Sequence, residues 1–384
     1  MQINDDILQA FIHCPYKAYK KSKGQKGIVS DYQRLYTQLK QTQKVNFGKQ
    51  LSGNIKLVSS NTTFDGILPK EGVALDLNFK NANIDLTLDG AEFTGRKNIT
   101  PIFITPFEKV TRTDKLFVAL QVTLIQSEFN LQAEYCKIAF GKNIRHTKFG
   151  LSSFAKAIKK SISELNKVLS SSNAPAFYKN VHCPVCEFQN SCLEKLFERD
   201  DLSLLTSLKS KEIIQRNNRG IFSVKQLSYT FRPKKNPYRK RKFLPELKAL
   251  AIRESKTFIQ EIPNIPVSPN EIFLDIEGLP DRNFYYLIGI IIRTDDSEKT
   301  YSFWANNKNE EERIFTGLIE LLQTSGEFVI YHYGTYEIQA LKTISKKLSP
   351  KHQEFLKKMI DIITLSMCLI FSHTTFIRQL IQTA

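Results

Sequence analysis

From Pro266 onward the sequence changes its hydrophobic rhythm, and that change restricts the fold more than any other feature. EIFLDIEG, FYYLIGIIIR and TYSFWA follow one another as three apolar runs of strand length. They are rich in β-branched and aromatic residues and separated by short polar stretches, the pattern of successive strands. EEERIFTGLIELLQ then has helical spacing, FVIYHYG returns to a strand, and a second helix starts at Tyr336. Three strands followed by alternating helix and strand predict a mixed α/β sheet. Within the first run, Asp275 and Glu277 stand two residues apart, so both carboxylates point to one face of a strand. Like charges held together oppose each other unless a cation lies between them. The pair therefore suggests a divalent metal site; an edge strand with a solvated polar face is the plain alternative.

The whole chain has 384 residues, enough for two or three domains. Its 41% hydrophobic content suits packed cores and excludes a wholly disordered chain. Fifty-five Lys and Arg against 38 Asp and Glu leave a net charge of +17. Such an excess favours an anionic partner, nucleic acid ahead of a membrane surface. The first residues show no basic leader with an apolar core, and no apolar run approaches the roughly 18 residues of a membrane span. A soluble, cytoplasmic protein is the expectation.

Three regions follow from texture: 1–198, where strands at 72–93 and in ITPIFIT precede a helix through Phe154 and Leu169; 199–262, helical and then basic; and 266–384. LKSKEIIQRNNRGIFSVKQL has the length and central glycine of a helix-hairpin-helix element, though a simple packed helix pair is the better reading. The basic stretch places seven positive charges in the eleven residues Arg232–Lys242: Arg232, Lys234, Lys235, Arg239, Lys240, Arg241 and Lys242. Two prolines argue for a loop there, and its cations are candidates for neutralising phosphates.

Six cysteines stand at 14, 136, 183, 186, 192 and 368. Cys183, Cys186 and Cys192 are close enough in sequence to share one metal centre, and Cys14 is available as a fourth ligand. Spacing alone does not choose between zinc and an iron–sulfur cluster. An early cysteine in CPYK followed by C-x2-C-x5-C resembles the iron–sulfur RecB-type nucleases, which include the CRISPR-associated RecB-like exonucleases and the AddB helicase–nuclease subunit. The resemblance implies a restriction-endonuclease-type core of the PD-(D/E)xK class. It also implies a [4Fe–4S] cluster on Cys14, Cys183, Cys186 and Cys192 that clamps the ends of that core. Cys136 and Cys368 match nothing and are read as ordinary thiols.

In that class an Asp and an acid-x-Lys lie on neighbouring strands, where the carboxylates hold Mg²⁺ beside the scissile phosphate and the lysine helps position the attacking water. Asp89 is the candidate first acid, with Asp85 behind it. Phe103, Ile104 and Thr105 stand where acid-x-Lys belongs, and only Glu108 and Lys109 lie near enough to substitute. The implied site is degenerate, and the N-terminal half is expected to persist as a binding scaffold.

FLDIEG, a hairpin into YYLIGIII and the later YHYGTYEIQAL resemble the DEDD-type exonucleases of the RNase H-like fold, closest to YprB-type domains. Those domains occur behind a RecB-type half in one bacterial nuclease family, and the likeness covers nearly the whole chain. It implies Asp275, Glu277 and Glu337 as ligands of Mg²⁺ or Mn²⁺. His332 and Tyr336 flank the same strand end and are candidates for substrate contact, a packed or capping residue being the better reading of the histidine. The reaction implied is two-metal hydrolysis of phosphodiester bonds in DNA, single strands included. A further acid belongs on a later helix, yet no Asp or Glu follows Asp361. The last domain is therefore read as incomplete, and a catalytically inactive nucleic-acid-binding protein that keeps the iron–sulfur-clamped scaffold is the competing expectation.

Overall fold

The computed structural model describes residues 2–51, 57–60, 71–95, 97–205, 207–232, 244–259, 267–279, 284–332, 335–362 and 370–371. It is a mixed α/β structure with two mixed sheets and, among the described residues, twelve α-helices. One compact unit spans Met1–Lys256 and another Thr257–Ser372.

The first unit opens with β1 (Ile3–Asn4), α1 (Asp5–His13), α2 (Pro15–Ser22) and the long α3 (Asp31–Leu51). Then come β2 (Leu57–Ser60), β3 (Glu71–Lys80), β4 (Ile84–Thr94), β5 (Ile99–Thr105), α4 (Arg112–Phe129), β6 (Tyr135–Phe140), β7 (Arg145–Gly150) and α5 (Ala155–Ser170). The strands form one sheet in the order β2-β3-β4-β5-β6-β7, with β1 added in parallel along β4. Leu86, Leu88, Ala91 and Phe93 of β4 are buried, as are Val118, Leu120, Val122 and Ile125 of α4, and they belong to one apolar core. Removing such aliphatic surface from water is the main favourable contribution to folding. Thr111 starts α4 with a reciprocal capping box to Asp114, and Asn130 ends it in the left-handed conformation that Asn tolerates.

Four further helices complete this unit: α6 (Gln189–Glu198), α7 (Ser210–Asn217), α8 (Val224–Ser228) and α9 (Pro245–Glu254). They bury Leu196, Ile213, Val224, Leu227 and Ala249 in an apolar cluster of their own.

The second unit contains β8 (Phe258–Ile259), β9 (Asn270–Leu279), β10 (Phe284–Arg293), β11 (Glu298–Trp304), α10 (Glu311–Gln323), β12 (Phe328–Tyr331), α11 (Tyr336–Ser345), α12 (Pro350–Ile362) and β13 (Ile370–Phe371). Its main sheet has the order β11-β10-β9-β12. β9, β10 and β11 run antiparallel, while β12 returns parallel to β9 after the α10 crossover. Ile272, Leu274 and Ile276 of β9 pack with Ile288 and Ile290 of β10 and with Ile314, Phe315 and Leu318 of α10. That inward set fixes the register, because a slip by one residue would turn every side chain to the opposite face.

The expectation of an incomplete last domain falls on residues 363–384, which lie outside the described residues apart from Ile370 and Phe371.

Candidate functional site

The alternation of β9 leaves Asp275 and Glu277 exposed while Leu274 and Ile276, which alternate with them, are buried. Asp275 pairs across the sheet with Gly289, which brings no side chain to the face where that carboxylate stands. β12 lies parallel to β9 with Tyr331 opposite Phe273. Continuing that register sets His332 beside Leu274, one residue before Asp275. Parallel neighbours end on the same side of a sheet, the usual place for ligand sites in α/β folds. Glu337 enters from the first turn of α11 and is buried, at 5% exposure.

These carboxylates sense one another. Burial, followed by the negative charges of Asp275 and Glu337, holds the Glu277 carboxyl above its ordinary pKa. Among the described residues, no Lys or Arg pairs with Asp275, Glu277 or Glu337. The His332 imidazole is close by, its Nδ1 3.5 Å from Glu337 Oε2. Both ring nitrogens of His332, Glu337 Oε2 and the Tyr336 hydroxyl are buried without a hydrogen-bond partner. The Tyr336 hydroxyl lies against Gly278, where an added Cβ would stand 2.6 Å from it. Gly278 is thus needed for its lack of a side chain. Burial and the nearby Tyr285 and Glu277 push the Tyr336 hydroxyl up to about 12. As it stands, no group of three His, Cys, Asp or Glu side chains among the described residues forms a ready-made metal cage. What suits a cation here is the donor chemistry: coupled carboxylates without positive partners.

The acid of the first unit is in the opposite condition. Asp89 lies on β4 at 6% exposure. Lys40 Nζ and Lys44 Nζ, both from α3, are each 2.9 Å from one of its oxygens. The Ile104 amide donates to it at 2.9 Å. Burial alone would raise the Asp89 pKa, but the two lysines and these hydrogen bonds hold it below the ordinary value. Lys40 also rests over the Phe103 ring, 4.4 Å from its centroid. The phenylalanine at the expected acid position is therefore a platform for the lysine that neutralises Asp89. Nearby, burial pushes the Asp5 carboxyl up to about 6 against hydrogen bonds from the Thr87 amide and Gln121.

Glu108 and Lys109 do not join this group. Glu108 bonds to Arg145 and to the Lys142 amide, and Lys109 is exposed. Asp85 pairs with Lys80 and Asn78 at the strand edge. Sequence reasoning missed Lys40 and Lys44; their four-residue spacing places them on one helix face, the one signal that pointed to a joint role.

Cys14, Cys183, Cys186 and Cys192 line a single cavity of about 30 Å³. Burial raises the Cys183, Cys186 and Cys192 thiols, and each also feels the charge of its neighbours, Cys14 included. The Asn180 amide donates to Cys183 Sγ at 3.3 Å. Next to the thiols, His13 and His182 stack with centroids 4.0 Å apart, and Lys17 pairs with Glu187 at 3.1 Å. Two chain segments far apart in sequence are therefore joined by several contacts around the cavity. Cys136 is buried elsewhere in the sheet core.

In the turn that joins α7 and α8, the amides from Asn218 to Lys225 are all engaged. Gly220 and Ile221 donate to Asn217 and Arg216, and Phe222 and Ser223 to the Gln226 side chain. Val224 and Lys225 donate to Asp200. The pair is a packing element, and the Asp200 carboxylate already holds the place an anion would take. Of the basic run, Arg232 is described and bonds to the carbonyls of Tyr229 and Phe231. Lys234, Lys235, Arg239, Lys240, Arg241 and Lys242 lie outside the described residues.

Comparison with known proteins agrees with the second unit's topology. Residues 272–373 match the family model of the RNase H superfamily, so the C-terminal region carries an RNase H-like domain, of the nuclease type. A comparison with curated proteins gave no match. A solved structure titled "Crystal structure of SSO0001" is similar to this chain at 14% identity and a TM-score of 0.27, covering 50% of this chain and 85% of its own. No helix among the described residues is long and apolar enough to cross a membrane.

Proposed function

We propose that the chain is a metal-dependent nuclease that hydrolyses DNA exonucleolytically, with the chemistry in the RNase H-like domain. The observation that carries this reading is the coupling of Glu277 to Asp275 and Glu337, with no lysine or arginine paired to them among the described residues. Mg²⁺ or Mn²⁺ held by those carboxylates would supply Lewis-acid activation of the phosphodiester and of the attacking water. Asp275 and Glu277, exposed on β9, and Glu337, from α11, are the residues that would hold the ion. The raised Glu277 carboxyl gives up its proton more readily once positive charge arrives beside it. Basic residues in 232–242 would track the phosphate backbone in a salt-dependent manner.

The four-thiol cavity supports a [4Fe–4S] cluster as a structural clamp in the first unit, zinc being the alternative. Cys14, Cys183, Cys186 and Cys192 would hold it. Anaerobically purified chain should contain iron and acid-labile sulfide in equal amounts, both lost together in a Cys186→Ala variant. Colourless protein with zinc alone would replace the cluster with zinc.

The decisive assay incubates the full chain with end-labelled single-stranded DNA, duplex DNA and RNA, with Mg²⁺ or Mn²⁺. Hydrolysis should fall at least about 100-fold in an Asp275→Ala, Glu277→Ala variant, more than the about 10–100-fold typical of losing an outer partner of a metal site. Binding without cleavage in the wild type would instead establish the catalytically inactive nucleic-acid-binding protein, and cleavage that survives the double substitution would move the chemistry elsewhere.

A further inference from the structure

A cavity of about 340 Å³ in the first unit lies between α1, α3, α4, β4 and β5. That is within the about 300–1,000 Å³ usual for small-molecule sites. Of its lining residues, Gln9, Thr37 and Gln41 are exposed, while Asp89, Phe103 and Gln121 are buried. It therefore has an open mouth and a polar floor. A packed apolar floor is often as stable as buried ion pairs, so folding alone does not call for these polar groups. The floor's charges largely cancel. Lys40 and Lys44 both meet Asp89, and Lys44 also meets Asp76. Burial disfavours the ionised form of Asp5, the remaining acid. The ligand that fits is uncharged and carries hydrogen-bonding edges.

The groups on the floor are held in fixed orientations. Gln121 Nε2 donates to Asp5 Oδ1 at 2.6 Å and to the Thr87 carbonyl at 3.0 Å, which sets the amide one way and leaves its carbonyl oxygen as an acceptor. The other Asp5 oxygen takes the Thr87 amide at 2.8 Å, and a carboxylate has room for further donors. Lys40 and Lys44 supply donors in turn, since an ammonium donates more than once. Two half-buried rings complete the lining. Tyr36 is anchored at its hydroxyl by Thr105 and packs on Phe107 with ring centroids 5.2 Å apart. Phe117 stands edge-on to Phe103 at 5.7 Å. Fixed aromatic surface with donors and acceptors beside it is what recognition of a nucleobase requires. We propose that this cavity receives an unpaired nucleobase, stacked by Tyr36 and Phe117 and hydrogen-bonded at its edge to Asp5, Gln121 and the two lysines. The inference does not rest on the metal-dependent reading of the second unit. A free nucleoside and a base of a single strand present the same chemistry, and the test separates them.

Two probes are titrated into the full chain with no Mg²⁺ or Mn²⁺ added: adenosine, followed by calorimetry, and an otherwise abasic DNA strand carrying one 2-aminopurine, followed by fluorescence. Stacking on the rings should quench the 2-aminopurine emission, and excess adenosine should restore it. Adenosine binding as tightly as the strand identifies the ligand as a free nucleoside. A strand that binds more tightly, and loses that advantage when its one base is removed, identifies it as a base of a single strand. Tyr36→Leu should weaken both probes about 5–100-fold, the span of base–aromatic stacking, while Tyr36→Phe should keep most of the affinity. A tyrosine that only packs would leave affinity unchanged in both variants. Asp5→Asn replaces a pure acceptor with a group that also donates, and should shift preference from adenosine toward uridine by about 2–10-fold.

The proposal is overturned if neither probe binds, if the strand binds with its 2-aminopurine unquenched, or if Tyr36→Leu and Asp5→Asn both bind as the wild type does. Should Tyr36→Leu fail to fold, Phe117→Leu and Asp5→Asn carry the same test.

Discussion

Two acidic positions in this chain are buried to similar extents and treated in opposite ways. Asp89 in the first unit and Glu337 in the second are 6% and 5% exposed. Asp89 is met by two ammonium groups and a backbone amide; Glu337 has an unpaired oxygen and its charge acts on the neighbouring Glu277. The first arrangement is electrostatically complete within the polypeptide, since Lys40 and Lys44 occupy the positions that cations would take. In the second, no such cation is supplied among the described residues. The difference shows how a buried carboxylate becomes structural: a helix delivers lysines to it, and Phe103 seats one of them.

That contrast can be broken most forcefully at the lysines. Replacing Lys40 and Lys44 with Met leaves Asp89 as an uncompensated buried charge and should destabilise the first unit by about 3–5 kcal/mol in urea denaturation. Adding Asp89→Leu should recover much of the loss. If the lysine variant unfolds at the wild-type urea concentration, the ion pairs are not what holds α3 to β4.

A smaller effect of opposite sign sharpens the other half. Glu277→Gln removes a repelled charge and should stabilise the second unit by at most about 1 kcal/mol, a ceiling set by its solvent exposure. The pH dependence follows from the raised pKa. Folded Glu277 keeps its proton to higher pH than the unfolded chain does, so its burden is absent at low pH and appears as pH rises through the raised value. The wild type should therefore lose stability relative to Glu277→Gln over that interval, as thermal melts in metal-free buffer would show. A gap that widens toward acid would contradict the assignment.

Asp275 and Glu277 were legible in the sequence because a strand has period two and the flanking residues are apolar. The mixed α/β sheet was legible for the same reason, since its strands alternate and its helices carry clear stripes; its RNase H-like character came from resemblance. Glu337 could be placed only by resemblance, because its nearness to β9 depends on the parallel return of β12. The fate of Asp89 was not legible. α3 is polar along most of its length, with Gln43 and Phe47 its buried residues, so nothing in its own pattern shows which lysines turn toward the sheet. The absence of free amides in the α7–α8 hairpin depended on Asp200, some twenty residues before the glycine. Long-range partners of that kind are not written in local periodicity.

The ring of cysteines also has a consequence in time. Cys14 and the stacked His13 leave the ribosome long before Cys183 and His182, and β1 must likewise wait for β4. At ordinary elongation rates, the roughly 170 residues between the two thiol segments take about 10–30 s to make. During synthesis the first helix therefore emerges with its cysteine uncovered and without its final neighbours. The cavity can close only after about three quarters of the first unit has been made, so Cys14 and its helix wait long for their settled surroundings.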